Sequence, residues 1–252
     1  MTSVIFQKDG AVGVVSLSKP PHNLIDNALL ADLDAAYSRA VDEGCRAILL
    51  RSSMRHFCAG ADLDTLFAER ASQDQLATMW HKLEDVPVPI VAAVHGAALG
   101  GGFELALMCD MIIAADTASF GMAEASLGLI PLLGGVQRVV DRAGPARAKE
   151  MAMFGRRQDP HAMERYGIIN LVTAEAELGA VSMSWARQLA AGPTVALKSI
   201  KTLANLTARG GIAAADARQA EVNGWMWDSQ DQKRGIAAFN ATGPGSAVFE
   251  GN

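Results

Sequence analysis

Short β-branched runs and helix-period stretches alternate along the first three quarters of the chain. Val4-Ile-Phe-Gln-Lys8 and Ala11-Val-Gly-Val-Val-Ser-Leu17 flank Asp9-Gly10. That is the turn chemistry of a two-residue hairpin, so the chain is expected to open with paired strands. Pro20 and Pro21 end this element, and from Asp26 onward Leu29, Leu33, Ala36, Tyr37, Ala40 and Val41 recur at helical spacing up to Gly44. An amphipathic helix is predicted there. Ala47-Ile-Leu-Leu50, Pro89-Ile-Val-Ala-Ala-Val-His95 and Met111-Ile-Ile-Ala-Ala115 are continuous apolar runs, as expected of parallel strands covered on both faces. Strands alternating with helices predict an α/β core with right-handed crossovers. No Pro/Gly/Ser-rich linker divides residues 1–192, whereas after Gly192-Pro193 the pattern reads as two or three helices with no strand: Val195 to Ala208, Ile212 to Trp227 and Gln230 to Phe239. The expected organisation is an α/β core over 1–192 and a C-terminal helical region over 193–252.

Composition narrows the class. The chain has 252 residues, half of them hydrophobic and 19% charged, enough to bury a sizeable core and too apolar for intrinsic disorder. Cys45, Cys58 and Cys109 are odd in number and widely spaced, with no CxxC, which predicts buried thiols rather than a disulfide framework or a zinc site. The histidines at 22, 56, 81, 95 and 161 form no HExxH or cluster, so no metal is expected. A net charge of −5 without clustered Lys or Arg argues against nucleic-acid binding. The apolar stretch Ile90–Leu99 is interrupted by His95 and Gly96, so no run approaches the ~20 residues of a membrane span. The opening residues MTSVIFQKDG carry no feature of a signal or transit peptide, and a cytoplasmic location is expected.

Two glycine-containing segments, Phe57-Cys-Ala-Gly-Ala-Asp-Leu63 and Ala97-Ala-Leu-Gly-Gly-Gly-Phe-Glu-Leu-Ala106, each follow a predicted strand and open a helix. Such turns leave backbone N–H groups pointing outward, ready for negative charge, and two of them could face one oxygen. Neither matches GxGxxG or GxxxxGK[ST], so nucleotide phosphate is a weak reading, and a tight turn without chemistry is the alternative. Glu104 lies in the first turn of the second helix within an apolar run, and Glu124 is the only charge in Ser119-Phe-Gly-Met-Ala-Glu-Ala-Ser-Leu-Gly-Leu-Ile-Pro131. Desolvation would raise the pKa of such an acid toward a useful general acid or base. A helix-end aid or a satisfied buried acid is the competing reading of each. Asp62 reads as the cap of the helix after the first turn.

Over residues 4–240 the chain resembles the enoyl-CoA hydratase/isomerase (crotonase) superfamily. Pro20-Pro-His-Asn-Leu-Ile25 is similar to its PPxNxL segment, Phe57 to Leu63 to its AGADL loop, and Ala98 to Asp110 to its ALGGGxELAxxCD helix start. Phe120-Gly to Arg138 then follows its FGxPE, LGxxP and GGxQR series. The resemblance implies an α/β spiral of ββα units, with a C-terminal helical region that helps form homotrimers or homohexamers around acyl-CoA sites. It also implies an oxyanion hole from the N–H groups of Ala61 and Gly101. Glu104 and Glu124 occupy both positions of the glutamate pair that hydrates 2-trans-enoyl-CoA to 3-hydroxyacyl-CoA. Substrate contacts are implied at His22, through its backbone, and at Leu24, Arg55, Ala59, Asp62, Leu63 and Leu132, with no metal or cofactor besides the CoA thioester substrate.

Some positions depart from the pattern. Leu132-Leu133 follows Pro131 where hydratases typically have Gly-Ala, and Ala123 replaces the usual proline before Glu124. Lys233-Arg234 stands at a position more usually acidic, and the basic pair common after the Ala-Phe dipeptide is absent from Phe239-Asn-Ala-Thr-Gly-Pro. Arg55 reads as a contact for the CoA phosphates or as a solvated surface arginine. The wall of the acyl pocket is expected from residues 64–85, Leu132 and the C-terminal helices. The alternatives to a hydratase are a Δ3-Δ2-enoyl-CoA isomerase using Glu124, a catalytically idle acyl-CoA-binding member, and more remotely an RNA-binding member. The acidic balance opposes the last, and retention of both glutamates opposes idleness.

Overall fold

The computed structural model describes residues 2–68 and 73–252; the stretch 69–72 of the expected pocket wall lies outside them. Strands β1 (Val4–Asp9) and β2 (Val12–Leu17) pair antiparallel from Val4 opposite Leu17 to Asp9 opposite Val12, turning through Gly10 as its Asp-Gly chemistry predicts. Helix α1 (Asn27–Asp42) starts where Asp26 accepts a hydrogen bond from the Leu29 amide at 2.8 Å. It buries the stripe Leu29, Leu33, Ala36, Tyr37 and Ala40 against the hairpin, the amphipathic face that the spacing required.

The remaining elements are β3 (Ala47–Ser52), α2 (Leu63–Ala68), α3 (Gln73–Glu84), β4 (Ile90–Val94), β5 (Ala97–Leu99), α4 (Gly101–Leu107), β6 (Met111–Ala115), β7 (Ser119–Gly121), α5 (Gly135–Phe154), α6 (Pro160–Arg165), β8 (Leu171–Thr173), α7 (Leu178–Ala190), α8 (Thr194–Gly210), α9 (Ile212–Asp228) and α10 (Gln230–Thr242). A larger sheet has the order β1-β2-β3-β4-β6-β8, parallel from β2 onward. A smaller parallel sheet, β5-β7, is continued by bridges from Ala98 to Cys58 and from Phe120 to Gln158. The strand pairs β4-β5 and β6-β7 thus each give one strand to the large sheet and one to the small sheet before a helix returns the chain. This is the α/β spiral of ββα units.

The continuous apolar runs Ala47–Leu50 and Ile90–Val94 are buried on both faces, with α7 packed on the large sheet. The three C-terminal helices begin within a residue of their expected starts. Helix α8 packs on α9 and is tied to the core by Lys201, whose buried Nζ donates to Asp110 at 2.8 Å and to the Val88 carbonyl at 3.1 Å. Among the described residues no helix is long and apolar enough to cross a membrane. For the site the small sheet matters most: β5 and β7 end side by side at two glycines, where the Gly100 amide donates to the Gly121 carbonyl at 2.8 Å.

Candidate functional site

The two glycine turns foreseen in the sequence lie against each other at the end of the small sheet. The first is fastened to the segment before α1: the Ala59 amide donates to the His22 carbonyl (3.0 Å), the Ile25 amide to Gly60 (2.9 Å) and the Asp62 amide to Ile25 (2.8 Å). The second turn meets it through the Leu99 amide, which donates to the Cys58 carbonyl at 3.1 Å. The glycines of the second turn answer different constraints. Gly100 has φ +50°, a left-handed backbone that L side chains rarely adopt. At Gly102 a Cβ would fall 2.2 Å from the Cys58 carbonyl oxygen, so only glycine lets α4 start this close to the first turn.

A Cβ placed on Gly101 would stand 3.6 Å from the Ala61 nitrogen, which puts the two turns in near contact. The amides of Ala59, Asp62, Gly100, Phe103 and Glu104 all donate to carbonyls. Those of Gly60, Ala61, Gly101 and Gly102 donate to no backbone carbonyl among the described residues; of these four, Gly60, Ala61 and Gly101 line the cavity described next.

These turns form one side of a cavity of about 550 Å³. Of the candidate residues, Ala59, Ala61, Leu63, Gly101, Glu104, Glu124 and Leu132 line it, and Ile25, Leu30, Leu99, Leu129 and Leu133 complete much of its apolar wall. His22, Leu24, Arg55 and Asp62 do not line it. Asp62 accepts from the Thr65 amide at 3.3 Å, as a cap of α2 would. The Leu24 carbonyl accepts from Lys19 Nζ at 2.9 Å, and the side chains of His22 and Arg55 are exposed.

Glu104 is 1% exposed, on a helix whose seven residues are all buried. Its Oε1 accepts from the amides of Leu133 at 2.8 Å and Gly135 at 2.7 Å. A Cβ at position 135 would lie 2.8 Å from Glu104 Cγ, so glycine there is what lets the backbone come within hydrogen-bond reach. Burial pushes the Glu104 carboxyl up to about 7; the neighbouring Glu124 acts in the same direction, while the two amides and Arg138 oppose it. Glu124 opens a 3₁₀ turn, Glu124–Leu127, and is half-buried. Burial raises its pKa too, and its Oε2 is buried without a hydrogen-bond partner among the described residues.

The amides of Leu133 and Gly135 are site groups that residue-type reasoning passed over, although the Gly134-Gly135 doublet signalled a close backbone approach. Cys45, Cys58 and Cys109 are buried free thiols, and burial drives those of Cys58 and Cys109 up to about 12. Among the described residues no three His, Cys, Asp or Glu side chains are grouped to hold a metal ion. Two carboxyl groups with raised pKa values, beside turn amides that donate to no backbone carbonyl, suit chemistry that moves protons while charge builds on an oxygen.

Residues 7–250 match the family model described as enoyl-CoA hydratase/isomerase. A probable enoyl-CoA hydratase of Rhizobium meliloti is 34% identical over 245 residues, covering 95% of each chain. A probable enoyl-CoA hydratase of Mycobacterium bovis is 32% identical over 243 residues, covering 94% of each. A crystal structure of an enoyl-CoA hydratase from Geobacillus kaustophilus superposes with a TM-score of 0.90 at 34% identity, over 99% of this chain and 98% of that one. Sequence, fold and turn geometry agree, and the chain belongs to the enoyl-CoA hydratase/isomerase family.

Proposed function

We propose that the protein adds water reversibly across a 2-trans-enoyl-CoA to give the 3-hydroxyacyl-CoA. One observation carries this reading: Glu104 and Glu124 line the same cavity, both with raised pKa values, next to turn amides without a backbone acceptor, those of Ala61 and Gly101 among them. The enoyl-CoA hydratases that the chain resembles support the reaction class.

In the proposed step the thioester oxygen accepts from the Ala61 and Gly101 amides. Glu104, ionised, takes a proton from water as the water oxygen bonds to C3. The C2–C3 π electrons move toward the thioester, and negative charge collects on its oxygen as an enolate. Glu124, protonated, then delivers its proton to C2 and the carbonyl re-forms. Water has been added, Glu104 holds the proton and Glu124 is ionised, and in the reverse direction the roles exchange. Each fixed amide in such a hole is typically worth about 3–4 kcal/mol, because it stabilises the developing charge without reorganising. Glu104 is suited to the base role: with a pKa near 7 it is partly ionised at neutral pH yet basic enough to accept a proton. The pair of amides on Oε1 leaves its other oxygen for the water.

The step needs no redox cofactor, since no electrons leave the substrate, and in it the amides, rather than a metal, carry the charge on the thioester oxygen. Leu132, on the cavity wall, would help select the acyl chain, and its neighbour Leu133 packs over Gly101. The exposed apolar side chains Ile200, Ile212, Trp227, Ile236 and Phe239 on α8–α10 fit the proposal of a homotrimer or homohexamer.

A second reading, Δ3-Δ2-enoyl-CoA isomerisation with Glu124 as the only proton shuttle, needs only that Glu124 line the cavity with a raised pKa, as it does. The test follows loss of the enoyl-thioester ultraviolet absorbance with crotonyl-CoA, and in parallel turnover of a 3-enoyl-CoA. Hydration by the wild type, falling at least ~10²-fold in folded Glu104→Gln, is the expected result. Isomerisation that survives Glu104→Gln, with no hydration by the wild type, would replace the hydratase reading. Binding of CoA esters without any turnover would point to an idle acyl-CoA-binding member.

A further inference from the structure

Arg138, in the first turn of α5, reaches back onto the loop that presents the two amides to Glu104. Its Nη1 donates to the carbonyls of Leu133 at 3.3 Å and Gly134 at 3.2 Å. Its Nε and Nη2 both meet Glu84 Oε1 on α3, at 2.6 Å and 2.5 Å. The other oxygen of Glu84 accepts from Arg209 Nη2 of α8 at 2.9 Å, and Arg209 pairs in turn with Asp85 at 2.8 Å. Gly134 has φ +84°, and a Cβ there would fall 2.1 Å from Arg138 Nη1, so the loop backbone is bare where the guanidinium rests. With side chains 20% and 14% exposed, Arg138 and Glu84 are only partly screened by solvent.

The Gly134 carbonyl and the Gly135 amide belong to one peptide unit. The oxygen end of that rigid plane accepts both from the Arg138 backbone amide at 3.1 Å and from its guanidinium at 3.2 Å, while Glu104 Oε1 accepts from the N–H end. Fixing the carbonyl fixes the direction of the N–H, and a cation on the oxygen polarises the amide into a stronger donor. The carbonyl of the next unit back, Leu133, is gripped by the same nitrogen. Neither Arg138 nor Glu84 lines the cavity.

We infer that Arg138 is a positioning residue for Glu104, anchored by Glu84 of α3: it orients the Leu133–Gly135 loop so that one carboxyl oxygen is pinned and the other is left to the substrate. The assignment rests on the hydratase reading for its effect on rate, but not for its effect on the Glu104 carboxyl. The charged groups around that carboxyl are Glu124 and Arg138, with Glu84, Arg209 and Asp85 behind Arg138. The cation of Arg138 favours the ionised form of Glu104.

The experiment therefore has two readouts on the full chain: kcat and KM with crotonyl-CoA, and direct titration of the Glu104 carboxyl by carbon-13 NMR, its signal identified by its absence from Glu104→Gln. Arg138→Met is expected to lower kcat by ~10²-fold with little change in KM, and to move the Glu104 titration to higher pH by about one unit. The acid limb of the rate profile should move with it. Arg138→Lys keeps the charge but loses the fork, so kcat falls ~10-fold while the titration stays near that of the wild type. Glu84→Gln, which frees the guanidinium from its anchor, should lower kcat several-fold.

If Arg138→Met does not fold, Arg138→Lys and Glu84→Gln carry the test. Wild-type kcat in folded Arg138→Lys and Glu84→Gln would overturn the positioning role. If the wild type hydrates nothing, the hydratase reading fails by itself; an unmoved Glu104 titration in Arg138→Met would then overturn this inference separately.

Discussion

Glu104 and Glu124 line one cavity but are held by different kinds of structure. Glu104 stands on a fully buried helix, with one oxygen fixed by two backbone amides whose loop is itself clamped by an ion-paired arginine. Glu124 stands on a single 3₁₀ turn, half-buried, with one oxygen lacking any partner among the described residues. Both carboxyls are shifted upward, chiefly by burial. The shift alone would make them look alike. The contrast lies in preorganisation: two backbone amides fix one oxygen of Glu104, whereas Oε2 of Glu124 meets no donor among the described residues.

The largest test of this contrast is the pair Glu104→Gln and Glu124→Gln assayed side by side. Both should lose ~10²–10⁴-fold in hydration if each carries a proton. Gln at 104 still accepts the two amides, so that variant should stay folded, and its defect should lie in kcat more than in KM. Equal tolerance of both changes would remove the two-acid scheme.

Next comes stability against pH. The folded Glu104 carboxyl titrates at about 7 against the usual 4.5, so between those values the native state keeps a proton that the unfolded chain gives up. Stability is therefore lost as pH rises through this window, by about 3 kcal/mol when the shift is converted at 1.36 kcal/mol per unit. Glu104→Gln, neutral throughout, should escape the loss. Denaturant unfolding at pH 5 and pH 8 measures it, and a wild type as insensitive as the variant would mean that Glu104 is ionised at a normal pKa.

Smaller again is Gly135→Ala, which keeps the amide but sets a Cβ 2.8 Å from Glu104 Cγ. Overpacking at such a site costs about 1–3 kcal/mol, and the displaced carboxyl should lower kcat as well. Unchanged melting and rate would show that the loop yields freely. The smallest expected effect is at Asp62, which caps α2 from outside the cavity. Asp62→Ala should cost about 0.5–1 kcal/mol in unfolding and leave the pKa of Glu104 where it was.

Much of the frame was legible in the residues. Asp9-Gly10 marked the hairpin, the Leu29–Ala40 stripe marked α1, and the continuous runs at 47, 90 and 111 became strands buried on both faces. The three-residue strands β5, β7 and β8 escaped notice, because three residues carry too little alternation to separate a strand from a loop. Nor are the bounds of α5–α7 legible in the residues; α5 is also broken at Gly144-Pro145, where Gly144 has φ +79°. The glycine turns and the two acids were legible because glycine clusters and lone charges in apolar runs are rare enough to carry meaning one at a time.

By itself, then, the sequence determined the order of the elements, the make-up of the core and the desolvated settings of Glu104 and Glu124. These are local properties, written in hydrophobic period, turn residues and the polarity of near neighbours. Only the tertiary structure decided that both acids open on one cavity, that turn amides without a backbone acceptor line it with them, and that Gly135 reaches Glu104 across 31 residues of chain. It also decided that Arg138 and Glu84, 54 residues apart, meet behind the loop. A backbone amide or a clamped carbonyl has no residue type to betray it; its role exists only once packing has brought distant turns to within hydrogen-bond distance.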